Sequence, residues 1–256
     1  MADKIVVAFD MYGTLLSTDS ISKQLEIYFG PDMAPSIATL WRRYQLEYTW
    51  RLNSMATMDS SGYSTCLMLL ILLEQYEDFA AVTRNSLRHA LNELGQQLQD
   101  NEIESLIKAY DNLHTFPDVG PALNRIANNL SIRAVIFSNG TKDMISNSVL
   151  RSADLSKHAS IFSDLVTVDE IKKYKPSPIT YQHAAKKVGK ELSQMGEIWL
   201  VSSNPFDVVG ARTAGMNAIW VDRAARGWQD AVSPGVKPTA IVHSLEQVVT
   251  EINNKH

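Results

Sequence analysis

The fold is decided by residues 7–16, which read VAFDMYGTLL. An apolar run typical of a buried strand ends at Asp10, and Gly13 follows in what we predict is a tight turn. A carboxylate at the end of a buried strand is costly unless it is paired or used. Asp10 is therefore the first candidate for a functional side chain; the alternative is that it only caps the next helix.

Short runs rich in Val and Ile recur along the chain and alternate with helical stretches. We predict strands at residues 5–9, 132–137, 164–168, 198–201 and 218–221. Such βα alternation predicts an α/β fold with a Rossmann-like parallel sheet. Residues 18–113 instead show helical spacing throughout, and a new helix is expected to start at Pro121. We therefore predict a core of residues 1–17 and 114–256 with an inserted helical segment, residues 18–113, as a cap.

The composition is typical of a soluble globular protein. The 256 residues are 45% hydrophobic and carry a net charge of -4, which argues against nucleic acid as a partner. The single cysteine, Cys66, cannot form an internal disulfide and predicts a reducing, cytoplasmic location. The apolar run 66–73 is too short to span a membrane and predicts a helix buried in a bundle or at a subunit contact.

Polar side chains follow four of the predicted strands. In chain order they are Asp10, then Ser138 and Asn139, then Lys175, and finally Ser202, Asn204 and Asp207. Because ligands of parallel sheets bind at the carboxyl ends of the strands, we expect these side chains to lie close together. The alternatives are that Lys175 is a solvated loop residue, and that Asn204 and Asp207 only cap the next helix.

An acid, a hydroxyl–amide pair, a lysine and a second acid at successive strand ends resemble the haloacid dehalogenase superfamily, whose cap domain stands where the helical segment stands. Phosphatases of that superfamily carry a second aspartate where Tyr12 stands and a magnesium-binding aspartate where Ser203 stands. Mg²⁺ prefers charged oxygen ligands, and phosphoryl transfer without it lacks its main charge stabilisation. The sequence therefore argues against a phosphatase, and no metal or other cofactor is predicted.

The stretch DMYGT is similar instead to the metal-independent L-2-haloacid dehalogenases. Residues 41–50, WRRYQLEYTW, and residues 202–207, SSNPFD, resemble segments of those enzymes as well. The resemblance implies that Asp10 displaces halide from C2 of an (S)-2-haloacid, and that water then hydrolyses the aspartyl ester to give the (R)-2-hydroxy acid. A small carboxylate substrate and a homodimer are expected from the family.

The resemblance also implies a role for each matching residue. The implied catalytic residues are Asp10, Thr14, Lys175, Tyr181, Ser202, Asn204 and Asp207. The implied substrate-binding residues are Tyr12, Arg42, Leu46, Ser138, Asn139 and Phe206. Arg42, Asn139 and Phe206 would hold the departing halide, because guanidinium, amide and ring-edge hydrogens suit an anion. Tyr181 would position Lys175 or Asp207.

One segment departs from the family pattern. Family members carry an aromatic residue where Ser61 stands, within the polar stretch 58–63. This leaves open a second substrate, azetidine-2-carboxylate, whose strained ring would open by the same attack with its nitrogen as the leaving group. A protein that binds a metabolite without catalysis is a third alternative.

Overall fold

Within residues 4–55 and 76–255, which the computed structural model describes, six parallel strands form one sheet. They are β1 (Ile5–Phe9), β2 (Ile132–Ser138), β3 (Phe162–Thr167), β4 (Ile198–Ser202), β5 (Asn217–Val221) and β6 (Ala240–Val242). Their order is β3-β2-β1-β4-β5-β6, and every pairing is parallel. Since β1 lies between β2 and β4, the residue that follows β1 stands at the middle of the carboxyl edge.

Helices connect the strands. The described residues between β1 and β2 form four helices, α1 (Ser22–Met55), α2 (Phe79–Glu93), α3 (Asp100–Tyr110) and α4 (Val119–Ala127). The helices after β2 are α5 (Lys142–Arg151), α6 (Pro178–Lys187), α7 (Pro205–Thr213) and α8 (Val248–Lys255). α1 is interrupted at Gly30, whose φ of 73° and ψ of 170° lie outside the helical region.

The inner strands are apolar on both faces. All five residues of β4 are buried, as are four of the five in β1, because helices cover both sides of the sheet. Such strands form continuous apolar runs, which is why the sequence predicts them without alternation. The sheet thus provides a rigid platform for the side chains at its carboxyl edge.

The predicted α/β fold with a parallel sheet is confirmed, with differences in its elements. β3 begins at Phe162 rather than at residue 164, and β6 was not predicted. α4 begins at Val119, so Pro121 lies inside its first turn, where a missing amide hydrogen costs nothing. The exact limits of core and cap stay a prediction.

Several predictions fall on residues 56–75, outside the described part of the chain. They concern Cys66, the apolar run 66–73 and the polar stretch 58–63. Among the described residues, none of the helices has the length and apolar character that a membrane span requires.

Candidate active site

Asp10 follows β1 directly and is only 6% exposed. Its Oδ2 atom accepts hydrogen bonds from Thr14 Oγ1 at 2.7 Å, Asn204 Nδ2 at 2.7 Å and Ser202 Oγ at 3.1 Å. Its Oδ1 atom faces Lys175 Nζ at 3.3 Å. One carboxylate oxygen is therefore anchored by three donors, while the other keeps a lone pair for chemistry.

The backbone determines where the two hydroxyl protons point. Thr14 Oγ1 accepts the Ser203 amide hydrogen at 2.9 Å, and Ser202 Oγ accepts the Asn204 amide hydrogen at 3.1 Å. Because a backbone N–H can only donate, each hydroxyl proton remains available for Asp10. The turn that returns Thr14 to Asp10 needs Gly13, whose φ of +86° is strained for any other residue.

Asn204 occupies the N-cap position of α7, but its side chain makes no capping hydrogen bond. Its amide donates instead to Asp10 and, at 3.0 Å, to the Tyr12 carbonyl oxygen. Helix capping therefore does not account for this side chain.

Lys175 is buried between the two acids of the site. Its Nζ atom lies 2.8 Å from Asp207 Oδ2, 2.7 Å from the Phe137 carbonyl oxygen and 3.3 Å from Asp10 Oδ1. The residue is 1% exposed, which excludes a solvated loop lysine. One ammonium group thus offsets part of the charge of two carboxylates, as buried charges require.

Asp207 is fully buried, and burial raises its pKa from 3.8 to about 6 despite the opposing charge of Lys175. Tyr181 donates its hydroxyl proton to Asp207 Oδ1 at 2.8 Å. Burial and the nearby Asp207 raise the pKa of Tyr181 well above its usual range, so it remains a donor. Tyr181 therefore positions Asp207 rather than Lys175. Gly210 makes room for it, since a Cβ there would lie 2.3 Å from the Tyr181 hydroxyl.

Arg42 brings a cation from α1 to the carboxyl edge of the sheet. It donates to the Tyr12 carbonyl oxygen at 3.2 Å and to Gln45 Oε1 at 2.6 Å. Among the described residues it pairs with no carboxylate. The remaining guanidinium donors are thus available to an anion.

Asn139 and Ser138 follow the neighbouring strand. Asn139 Oδ1 accepts the Lys175 amide hydrogen at 3.0 Å, which leaves its NH₂ group for another partner. Ser138 is fully buried, and its Oγ accepts the Gly140 amide hydrogen at 3.1 Å. As for Thr14 and Ser202, accepting a backbone N–H leaves the hydroxyl proton of Ser138 available to another acceptor.

The three remaining predicted substrate residues are apolar or packed. Phe206 directly precedes Asp207, and its ring packs edge-on against Trp50 at 5.5 Å between centroids. Leu46 lies one turn after Arg42 on α1 and is half-buried. Tyr12 contributes its backbone carbonyl to the network of Arg42 and Asn204.

The Tyr12 ring is buried in an aromatic cluster with Phe79 and Tyr110, at centroid distances of 5.4 and 5.6 Å. Its hydroxyl lacks a hydrogen-bond partner in residues 4–55 and 76–255. Burial raises the pKa of Tyr12 well above its usual range, so this side chain stays neutral. Both of these partner rings belong to the helical segment, Phe79 to α2 and Tyr110 to α3.

Sequence reasoning missed Arg223 and its partner Asp118. Arg223 comes just after β5 and donates to the Thr14 carbonyl oxygen at 2.9 Å. A search for polar side chains at the carboxyl end of β5, as was made for the first four strands, would have found Arg223.

The donor set does not fit the magnesium ion of the related phosphatases. Lys175 stands between the carboxylates of Asp10 and Asp207, and Ser203 Oγ accepts a hydrogen bond from Arg223 Nη1 at 3.1 Å. Ser203, hydrogen-bonded to a cation, thus stands where those phosphatases carry an acidic ligand of the kind that Mg²⁺ prefers. Within the two described ranges, no three His, Cys, Asp or Glu side chains form a group that could hold a metal ion.

Comparison with known proteins places this chain in a family. The model of the haloacid dehalogenase-like hydrolases matches residues 6–215. Haloacetate dehalogenase H-2 of Moraxella sp. (strain B) is 32% identical over 85% of each chain. The (S)-2-haloacid dehalogenase of Pseudomonas sp. (strain YL) is 31% identical over 95% of this chain and 92% of its own.

Similarity extends to solved structures. That of L-2-haloacid dehalogenase from Xanthobacter autotrophicus has a TM-score of 0.81 and 25% identity, covering 99% of this chain and 100% of its own. The chain therefore belongs to the haloacid dehalogenase-like hydrolase family, in the branch of the L-2-haloacid dehalogenases.

Proposed function

We propose that this protein hydrolyses the carbon–halogen bond of small (S)-2-haloacids to give (R)-2-hydroxy acids, without a metal ion or other cofactor. The observation that carries the proposal is the asymmetric environment of Asp10. Three donors anchor Oδ2, while Oδ1 faces Lys175 alone. A carboxylate held in this way suits nucleophilic attack on carbon.

In the first step Asp10 Oδ1 attacks C2 from the side opposite the halogen. The Oδ1–C2 bond forms while the carbon–halogen bond breaks, and the halide leaves with the bonding electrons, so C2 is inverted. Arg42, the NH₂ group of Asn139 and the ring edge of Phe206 would receive the halide. Fixing the reactants can provide an effective molarity of about 10⁵–10⁸ M, which compensates for a weak nucleophile.

In the second step water attacks Cγ of the ester, and Oδ2 takes up the developing negative charge. Thr14, Ser202 and Asn204 already donate to this oxygen and so act as an oxyanion hole. Asp207 accepts a proton from the water, for which a pKa of about 6 is well matched. The Cγ–Oδ1 bond then breaks with its electrons on Oδ1, which takes the proton from Asp207 and leaves as the hydroxyl oxygen of the product. The second proton of the water is released when Asp10 ionises again.

Labelled water provides a direct test. With protein in excess over L-2-chloropropionate in H₂¹⁸O, the first turnover should place ¹⁸O in Asp10 and leave the product unlabelled. Immediate label in the product alone would contradict the ester route.

A pair of variants tests the nucleophile separately. Asp10→Asn should abolish chloride release, whereas Asp222→Asn should not. Asp222 is also a buried acid after a strand, but it binds the Arg226 and Gly227 amides.

The donors around the leaving group favour halide over the ring amine of azetidine-2-carboxylate. A guanidinium and an amide NH₂ group attract an anion and repel a departing ammonium. We therefore expect chloride release from L-2-chloropropionate without formation of 4-amino-2-hydroxybutyrate from L-azetidine-2-carboxylate. The opposite result would assign the ring-opening reaction. Absence of both reactions would support a binding protein instead.

We also infer that the helical segment acts as a cap over the site. Arg42 reaches the Tyr12 carbonyl oxygen, and Asn53 exchanges hydrogen bonds with the Tyr174 backbone at 2.6 and 2.9 Å. Both contacts join α1 to the carboxyl side of the sheet. A homodimer and a cytoplasmic location, for which the apolar run 66–73 and the lone Cys66 argue, are part of the same proposal.

A further inference from the structure

Arg223 joins the two loops that supply the donors to Asp10. It follows β5, and its side chain is 21% exposed. Nη2 donates to the Thr14 carbonyl oxygen at 2.9 Å, and Nη1 donates to Ser203 Oγ at 3.1 Å. Thr14 belongs to the loop after β1, and Ser203 to the loop after β4.

Arg223 is itself held in one orientation. Asp118 accepts from Nε at 3.0 Å and from Nη2 at 2.9 Å, which is a bidentate ion pair. The guanidinium carbon lies 3.9 Å from the centroid of the Phe116 ring. Asp118 also accepts the Leu245 amide hydrogen at 2.9 Å, which fixes it to the chain after β6. The guanidinium is thus held by Asp118 at its edge and by the Phe116 ring on one face, so the groups that accept its other hydrogen bonds are held in fixed positions.

The loops also contact each other through atoms of the site. The Ser203 amide donates to Thr14 Oγ1 at 2.9 Å, and that hydroxyl donates to Asp10 Oδ2. If the loops separate, Thr14 Oγ1 loses this donor, and its proton is no longer directed at Asp10. Ser202 and Asn204 flank Ser203 and donate to the same carboxylate oxygen, so they move with it.

We infer that Arg223, with Asp118, is a positioning residue that holds the β1 and β4 loops together so that their donors converge on Asp10 Oδ2. Its hydrogen bonds reach the site through Thr14 and Ser203, without a direct bond to Asp10. The inference rests on the proposed function, because it makes Arg223 responsible for anchoring one oxygen during attack and stabilising that oxygen during ester hydrolysis.

The test compares Arg223→Met with Arg212→Met in the full-length protein. Arg212 is a matched control because it also donates to backbone carbonyls, of Lys237 at 3.2 Å and Met216 at 2.8 Å, but it lies at the far end of α7. Chloride release from L-2-chloropropionate gives kcat and KM per folded molecule. Hydrogen–deuterium exchange measured by mass spectrometry reports the opening of residues 10–17 and 201–206 without reference to activity.

For Arg223→Met we expect kcat to fall about ten- to one-hundred-fold, as for the loss of a hydrogen bond to a charged group, with KM within about threefold. Exchange should accelerate in both loops. Arg223→Lys retains the positive charge but loses the planar guanidinium with its several donors, and should be intermediate in both measurements. Arg212→Met should keep the wild-type kcat and the wild-type exchange in these loops.

A wild-type kcat per folded molecule together with wild-type loop exchange in Arg223→Met would overturn the inference. So would an equal loss in the Arg212→Met control. Should Arg223→Met fail to fold, Arg223→Lys decides the question by the same two criteria. If the wild-type protein releases no chloride, the proposed function alone fails, because loop exchange still shows whether Arg223 holds the loops together.

Discussion

Two carboxylates of the same chemical type acquire different properties at this site. Asp10 has a donor on every side: three to Oδ2 and Lys175 at Oδ1. Asp207 is fully buried, receives Lys175 and Tyr181, and has its pKa raised to about 6 by burial. Paired acids with different surroundings are a common way to separate nucleophile from base. This difference supports the proposed roles of Asp10 as nucleophile and Asp207 as base.

The raised pKa of Asp207 predicts a pH dependence. If its ionised form accepts the proton of the attacking water, kcat should fall as pH drops through about 6. Asp207→Asn should form the ester on Asp10 but hydrolyse it very slowly, so that the intact protein gains the mass of the acyl group. A pH profile of kcat from pH 4.5 to 8, with mass spectrometry of the variant, checks both expectations; a flat profile would contradict the role.

The same shift has a consequence for stability, with a definite sign. Because the pKa in the folded protein lies above 3.8, the folded state binds the Asp207 proton more tightly than the unfolded state does. The contribution of Asp207 to the free energy of unfolding therefore decreases as pH rises from about 4 to about 6. Asp207→Asn should remove this part of the pH dependence of Tm, which differential scanning calorimetry can measure.

The sequence identifies the charged members of the site but not all of their partners. Asp10, Lys175 and Asp207 stand out because charges at the ends of apolar strands need a reason. The hydrogen bond from the Gly140 amide to Ser138 could not be predicted from the sequence, because a hydroxyl can bond to its own turn as readily as to a neighbouring residue. The sequence also left open whether Tyr181 contacts Lys175 or Asp207. The packing of the helices decides this, and only the structure reveals it.

At the scale of elements, the buried amide of Gln45 holds Arg42 of α1 in place at the site. Gln45 lies one turn after Arg42 on α1 and is fully buried. Its Oε1 accepts from Arg42 at 2.6 Å and from the Tyr110 hydroxyl at 3.1 Å, and its Nε2 donates to Thr83 Oγ1 at 2.8 Å. One side chain thus fixes the position of Arg42 relative to α2 and α3.

Loss of the Gln45 side-chain amide should weaken substrate binding more than it slows the chemical step. In Gln45→Leu we expect KM for L-2-chloropropionate to rise about tenfold and unfolding to become easier by about 1–3 kcal/mol, because buried partners lose their hydrogen bonds. Tyr110→Phe removes only the second donor to Gln45 and should leave KM within about twofold. Steady-state kinetics and chloride inhibition measure this; a wild-type KM in Gln45→Leu would contradict it.

Element boundaries were predictable where burial is uniform. The strands β1, β2, β4 and β5 were found because each is covered on both faces and is therefore continuously apolar. β6 has only three residues and an exposed Ile241 at its centre, so no pattern marks it. The early start of α4 depends on local backbone geometry rather than on apolar spacing.

At the scale of the whole molecule, the arrangement of charge separates this chain from the magnesium-dependent members of its superfamily. The shared fold brings Asp10 and Asp207 to the same edge of the sheet, where Lys175 bridges them. Arg223 holds Ser203, which stands where those enzymes bear an acid. Because the family fold alone does not exclude phosphatase chemistry, we propose that the serine at this position is what excludes it.

The charge arrangement predicts that dehalogenation needs no divalent cation. Chloride release from L-2-chloropropionate should be unchanged after dialysis against excess EDTA, since Lys175 already supplies the positive charge between the two carboxylates. Added Mg²⁺ should neither increase this rate nor induce hydrolysis of p-nitrophenyl phosphate, because Ser203, bonded to Arg223, stands where the phosphatases carry a magnesium-binding acid. A loss of activity in EDTA that Mg²⁺ restores would return the protein to the phosphatase branch. Lys175→Met should lose dehalogenation under every metal condition, because its ammonium group lies beside both carboxylates.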